Sequence, residues 1–304
     1  MTTLLVGFDS AWTPKNSGAL VGVLRSDDGA FQELCSPLVV NYLEAECKIL
    51  DWQAEKQPAA TIVLLDQPTI VKNRAGQRPV ENLVASPVGL RYGGMQPANT
   101  GRGAMFGEDA PVWRFLARFG GAADLLEPLT GTWVVETYPV LAMIALGWTL
   151  QDSRPTGRLP KYNPKRRKTF SIADWKHVSQ LASGAFCERG LLGVARWLNG
   201  VAESMAPRKS DQDGLDACVC LLVALYLAEL RECLMVGNRD TGYIVVPYGE
   251  GLSRELEARC EQTRCAPSEW VRSFRLSAAR EDLPGGPSNN SMQRTPRAAA
   301  DAER

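Results

Sequence analysis

The sequence predicts an α/β fold: a mixed five-stranded sheet flanked by helices, with a long insertion after the fourth strand. Three observations carry this. Short apolar runs recur at residues 4–9, 61–66 and 132–138, each with a carboxylate at or near its end (Asp9, Asp66 and Glu136), as expected of strands buried on both faces. After the first run, residues 19–24 and 30–38 flank Asp27-Asp28-Gly29, the pattern of a hairpin. Helix-like segments then fill the spaces between and after these strands.

Taken in order, the hairpin is followed at residues 41–57 by Tyr42, Leu43, Ala45, Cys47, Ile49, Leu50 and Trp52 set among acids and Lys48, a helical pattern that Pro58 stops. After the 61–66 strand, residues 70–110 hold Gly76, Gly89, Gly93, Gly94, Gly101, Gly103 and Gly107 with little periodicity. A stretch that long inside a compact domain is either functional or mobile. With a helix over 111–119, the whole insertion at about 70–130 is expected to form a lid or subdomain near the carboxylate edge. Pro139 falls in the first turn of the helix after the 132–138 strand, and Gly147 ends that helix. Residues 152–168 are polar and basic. Helices are predicted at 171–187, 190–205 and 211–236, with one short strand at 243–247. Residues 1–250 thus make the main domain and 251–283 an extension, while 284–304, rich in Gly, Pro, Ser, Asn and Ala, read as a disordered tail.

Composition narrows the function classes. At about 150 residues per domain, a chain of 304 residues allows two domains or one with a long insertion. Lys plus Arg and Asp plus Glu are both 34, so no global basic excess advertises nucleic acid, and any such binding must use a local patch. There is no apolar run of membrane-spanning length and no basic leader, so a soluble, cytoplasmic chain is expected. Eight scattered cysteines without an export signal read as reduced thiols.

If the three carboxylate-ended strands run parallel, Asp9, Asp66 and Glu136 gather at the sheet edge where open α/β sheets bind ligands. Asp213 and Asp216, three apart near the start of a late helix, share one face. Acids crowded in this way repel one another, and raised pKa values or bound cations relieve the cost. An oxygen-only set without His or Cys selects Mg²⁺ or Mn²⁺ over zinc.

An Asp on the first strand, a hairpin, a helix, a fourth strand reaching Asp and a late Asp-x-x-Asp together resemble the RNase H-like fold, with the acid spacing of RuvC-type resolvases. More closely, Gly7-Phe8-Asp9-Ser10-Ala11-Trp12, Leu65-Asp66-Gln67-Pro68, Asn73-Arg74-Ala75-Gly76-Gln77-Arg78-Pro79, Glu136-Thr137-Tyr138-Pro139 and Asp213-Gly214-Leu215-Asp216-Ala217 resemble the domain of unknown function 429 family, over residues 4 to 250. RNase H-like nuclease activity is predicted for that family. The resemblance implies a metal-dependent nuclease whose Asp9 bridges two Mg²⁺ or Mn²⁺ ions, with Asp66 and Asp213 or Asp216 completing their shells. Glu136 lies outside the minimal RNase H set and would be a further ligand, a general base or an orienting group. The Glu that RNase H enzymes keep on the first helix has only Glu44, Glu46 and Asp51 as candidates here, without a motif to choose among them.

Other residues admit plainer readings. Asp9 and Asp66 can form local turns, Glu136 can fix a strand-to-helix turn, and Asp211 suits an N-cap. Arg154, Arg158, Lys161, Lys165, Arg166, Arg167 and Lys168 form a basic run with Tyr162, read either as a phosphate-contacting loop or as solvated surface. Arg74 and Arg78, with Arg91 and Arg102, are candidate phosphate contacts in the insertion, where backbone amides would also serve. His177 has no His partner and the cysteines lack zinc spacing or a base, so zinc and thiol chemistry are disfavoured. Two rivals share the fold: an actin-like or sugar-kinase-type phosphotransferase, which needs Gly-rich phosphate loops that Ser10-Ala11-Trp12-Thr13 does not supply, and a catalytically silent module binding nucleic acid or protein.

Overall fold

A computed structural model of the chain describes residues 1–92, 95–153 and 156–276. The expected tail at 284–304, Arg154, Gly93, Gly94 and the Arg91 side chain lie outside the described residues. Strand β1 (Thr3–Asp9) is buried along its whole length, and β2 (Gly18–Arg25) and β3 (Phe31–Val40) return antiparallel beside it. The edge strand β3 alternates in exposure and carries Pro37, which an edge tolerates because one side of its backbone has no ladder partner. Helix α1 (Tyr42–Lys56) opens on a capping box between Asn41 and Glu44 and closes with Gln57 in the left-handed region, one residue before Pro58.

Strand β4 (Ala60–Leu65) lies parallel to β1. The insertion that follows holds α2 (Pro79–Tyr92), α3 (Gly103–Phe106) and α4 (Pro111–Arg118); only the last is expected from the sequence, because the glycines across 70–110 leave little periodicity to mark the other two. Strand β5 (Gly131–Glu136) joins β4 in parallel and leads into α5 (Pro139–Ala145), whose N-terminal Pro139 stands where predicted. The sheet order β3-β2-β1-β4-β5, antiparallel on one side of β1 and parallel on the other, is that of an RNase H-like sheet.

Helices α6 (Ile172–Cys187), α7 (Leu192–Ala202) and α8 (Lys209–Ala228) follow. The third had been expected to run to residue 236. It stops earlier: Leu230 adopts a left-handed φ of 56°, and residues 233–238 become β6 (Cys233–Asn238) because their apolar side chains are buried in a second sheet. That sheet, ordered β7-β6-β8, uses β7 (Gly242–Pro247) and β8 (Val271–Phe274), with α9 (Glu250–Thr263) and the short α10 (Pro267–Trp270) between them. It is tied to the first sheet by Thr137, whose hydroxyl donates to the Val245 carbonyl at 2.7 Å, and by the Tyr243 hydroxyl, which donates to the Ala123 carbonyl at 2.7 Å.

Two cores sandwich the main sheet. On one face Phe8, Val63 and Leu65 meet Tyr42, Ile49 and Trp52 of α1 and Phe115 of α4. On the other, α8 lies across β1 and β2 with an almost wholly buried apolar body. Gly7 sets the separation: a Cβ there would stand 2.1 Å from the Ala217 carbonyl oxygen and 2.4 Å from the Leu221 nitrogen, so only glycine lets the helix backbone touch the strand. Among the described residues no helix is long and apolar enough to cross a membrane.

Candidate active site

Backbone geometry assembles the site first. The parallel register sets Phe8 opposite Leu65, and the Asp66 N–H donates to the Phe8 carbonyl at 2.9 Å, so Asp9 and Asp66 leave neighbouring strand ends side by side. The close approach at Gly7 then lays the first turns of α8 over the same edge and brings Asp213 and Asp216 to them. Asp9, Asp213 and Asp216 are 5%, 8% and 5% exposed; Asp66 is half-buried. All four line one cavity of about 790 Å³.

Beneath the acids a small polar network holds the two strand ends together. The Ser10 hydroxyl donates to Gln67 Oε1 at 2.5 Å, the Tyr42 hydroxyl donates to the same oxygen, and Gln67 Nε2 donates to the Met105 carbonyl of α3 at 3.3 Å. Asp216 is oriented from two sides, by the Tyr162 hydroxyl at 2.8 Å and by Gln212 Nε2 at 2.9 Å. Gln212 is 6% exposed and lines the cavity, yet its Oε1 is buried with no hydrogen-bond partner. Buried acceptors are normally satisfied, so this oxygen marks a place for a donor or a cation.

The electrostatics follow from crowding. Burial pushes the Asp9 carboxyl well above its ordinary range, and the charges of Asp66 and Asp216 push it further against the opposing pull of Lys209. Burial likewise raises Asp66, with Asp216 adding to the effect, Lys209 opposing it, and a hydrogen bond to Asp9 partly compensating. Asp216 is pushed up to about 6, mainly by burial, while Lys209, Tyr162 and Gln212 pull it down. The Lys209 ammonium contacts Asp213 and stays protonated above its usual range; burial opposes the charge, but Asp9, Asp216 and Asp213 outweigh it. Lys209 is the cation that pulls on Asp9, Asp66 and Asp216, and Lys15, Lys161, Lys165 and Arg166 line the same cavity. Carboxyls crowded in this way retain protons or recruit cations at neutral pH.

Glu136 and Arg78 line the same cavity, and the Glu136 charge adds to the rise of Asp66, but the two are paired with each other. Glu136 is level with Leu65 in the sheet, one position out of phase with Asp66. Its carboxylate is taken by Arg78, whose Nη2 and Nη1 donate to Oε1 and Oε2 at 2.6 and 2.9 Å, and by the Thr69 N–H at 3.0 Å. Among its expected roles, this geometry fits an orienting group, with Glu136 anchoring the insertion. Arg78, expected to contact phosphate, is corrected: it is 1% exposed and also donates through Nε to Glu81 at 2.8 Å, so its guanidinium is spent on two carboxylates. Burial works against the Arg78 charge, but Glu136 and Glu81 more than restore it.

Arg74 is exposed on the loop outside the cavity lining. In the basic loop, Lys161, Lys165 and Arg166 line the cavity, while Arg167 and Lys168 are exposed outside that lining. Asp211 sits at the third residue of α8 rather than at its N-cap, and accepts from the Arg208 N–H at 2.7 Å. All eight cysteines are free thiols, and burial raises Cys218 and Cys220 far from thiolate formation.

The family of proteins of unknown function DUF429 has a model that matches residues 7–240, a span that starts at Gly7 and contains all four clustered acids. The chain belongs to the DUF429 family. No curated protein and no solved structure gives a significant match. Within this DUF429 chain, sequence reasoning missed Lys209, Gln212, Lys15 and Tyr138, all of which line the cavity. The first two carried a signal: Lys209 lies four residues before Asp213 and Gln212 four before Asp216, the spacing at which helix side chains meet. Lys15 and Tyr138 reach the DUF429 cavity only through loop tracing, which no local pattern reveals.

Proposed function

We propose that this protein is a divalent-metal-dependent nuclease that hydrolyses phosphodiester bonds in nucleic acid. One observation carries the reading: Asp9, Asp66, Asp213 and Asp216 line one cavity, where burial and mutual repulsion raise the Asp9 and Asp66 carboxyls despite the pull of Lys209. Among the described residues no three His, Cys, Asp or Glu side chains are already set as a metal-ligand group. The donor chemistry nevertheless fits Mg²⁺ or Mn²⁺, since the set is all oxygen and the orphaned Gln212 Oε1 adds another acceptor beside Asp216. Asp9, Asp66 and Asp216 would hold the ions, with Asp213 once Lys209 withdraws. Bound there, such ions supply Lewis acidity for the attacking water and the leaving oxygen.

The chain's own groups do the rest. Tyr162 and Gln212 hold Asp216 in place, the Ser10–Gln67–Tyr42 network keeps Asp9 beside Asp66, and Lys161, Lys165 and Arg166 in the cavity lining offer positive charge to the substrate phosphate. Water adds at phosphorus, one P–O bond breaks, and the products are a phosphate end and a hydroxyl end. The test is cleavage of DNA, RNA, hybrid and branched substrates in Mg²⁺ or Mn²⁺, with Asp9→Asn as control. Cleavage by wild type and loss of at least 10²-fold in the variant supports the reading. Nucleic-acid binding without turnover would assign a silent module instead, and ATP-dependent stabilisation without cleavage a phosphotransferase.

A further inference from the structure

The shape of the cavity restricts what can reach the acids. The carboxylates line a cavity of about 790 Å³, and Asp9, Asp213 and Asp216 are almost wholly buried there. The walls are contributed by separate parts of the chain: Trp12 and Lys15 from the β1–β2 connection, Met95 and Met105 from the insertion, and Lys165 and Arg166 from the basic loop. Trp12 is a half-buried indole held at φ 60°, a backbone state that a bulky L-residue adopts at a cost, and it packs edge-on against Phe106 with centroids 6.0 Å apart. Its ring is thereby held in the lining of the cavity that Lys165 and Arg166 also line. The unpartnered Gln212 Oε1 in the same lining is an independent sign that the cavity is built to be filled.

We infer, on the nuclease reading above, that the cavity admits one unpaired nucleotide of a single strand, its base against Trp12 and its phosphate between the carboxylates and Lys165 and Arg166. In a rigid duplex the bases are paired and stacked away from a protein ring, whereas a strand with an unstacked nucleotide can present its base to Trp12, and an aromatic ring accepts any base by stacking. A strand is favoured over a free nucleotide because the basic loop does not end at the cavity. Arg167 and Lys168 continue it as exposed residues beyond the lining, where only the neighbouring phosphates of a longer chain would meet them.

The experiment uses full-length Asp9→Asn, which prevents turnover, in Mn²⁺, and reads fluorescence anisotropy with a labelled single-stranded 12-mer, the same sequence as a blunt duplex, and a mononucleotide competitor. The single strand is expected to bind at least tenfold more tightly than either of the others. Adding Trp12→Ala should weaken strand binding about fivefold or more, the lower end of the range for losing one stacked base, while Trp12→Phe, which keeps a ring, retains most of the affinity. Replacing Arg167 and Lys168 by Ala should lower the slope of log Kd against log salt by about 1.4, or 0.7 per lost phosphate contact. Equal affinity for duplex and strand, a mononucleotide that binds as tightly as the 12-mer, or equal loss in both Trp12 variants would overturn the inference. Wild-type cleavage of blunt duplex alongside any of these leaves the nuclease reading standing. Failure of every nucleic acid to bind or be cut removes that reading, and this inference with it.

Discussion

Arg78 offers the sharpest check on how the site is held. Its guanidinium makes three short contacts to Glu136 and Glu81, at 2.6, 2.9 and 2.8 Å, plus one to the Ile70 carbonyl at 3.1 Å. All three side chains are almost wholly buried. In Arg78→Met the apolar stem is kept, but two buried carboxylates lose their only cation among the described residues. Breaking a buried pair in this way costs about 3–5 kcal/mol, which at 2–4 °C per kcal/mol for a chain of this size class is a fall of roughly 6–20 °C in Tm. The deficit has a definite pH dependence. Burial raises the folded Glu136 carboxyl above its ordinary value even with Arg78 present, so without Arg78 it rises further. A carboxyl raised in the folded state contributes stability below its unfolded pKa and loses it as pH rises through the folded value. The gap between wild type and variant should therefore be widest near pH 7–8 and narrow towards pH 4.5. Thermal denaturation followed by circular dichroism at both ends of that range measures it. A variant within 1 °C of wild type at pH 7.5, or a gap that grows on acidification, would refute the assignment of Arg78 as a buried clamp.

Three further outcomes are expected. In EDTA at pH 8, Asp9→Asn should be more stable than wild type by on the order of 1 kcal/mol, because it removes one of several mutually repelling buried charges; a lower Tm would contradict the crowding. For the wild type in EDTA, the site carboxyls have folded pKa values above their unfolded ones, with Asp216 at about 6, so their contribution to Tm should decline from pH 5 to pH 8. Excess Mn²⁺ at about 100 times its Kd should restore roughly 2.7 kcal/mol at pH 8 and less at pH 5, and a stabilisation independent of pH would count against these acids as its ligands. Gly7→Ala should cost about 1–3 kcal/mol by forcing α8 off β1, and should weaken Mn²⁺ uptake by calorimetry in the same variant; unchanged stability would mean that the helix does not need glycine there.

Much of the scaffold was readable locally. Leu4 to Asp9, the Asp-Gly hairpin and the strands expected at 61–66 and 132–138, the latter ending at Glu136 in the structure, announced themselves because strands buried on both faces leave continuous apolar runs. The apolar positions Tyr42, Leu43, Ala45, Cys47, Ile49, Leu50 and Trp52 marked α1 as a helix, though only the structure shows that Tyr42, Ala45, Ile49 and Trp52 are its buried face, and Pro139 marked the start of α5. Strand β6 did not, since an apolar run after an apolar helix has the same composition as more helix, and only pairing with β7 and β8 distinguishes them. Helix α2 was hidden because Gly76, Gly89, Gly93 and Gly94 in and around it leave little periodicity to read.

The acids divide in the same way. By itself the sequence determined which carboxylates close the strands and which share a helix face, because residue identity and pleat or helix period are local properties. Tertiary structure alone decided that Asp9, Asp66, Asp213 and Asp216 meet, that Lys209 becomes their counter-charge, and that Glu136 and Arg78 neutralise each other instead. The reason is physical: charge interactions depend on distance and burial, and both are set by where the backbone of α8 rests on Gly7, a contact between segments some two hundred residues apart.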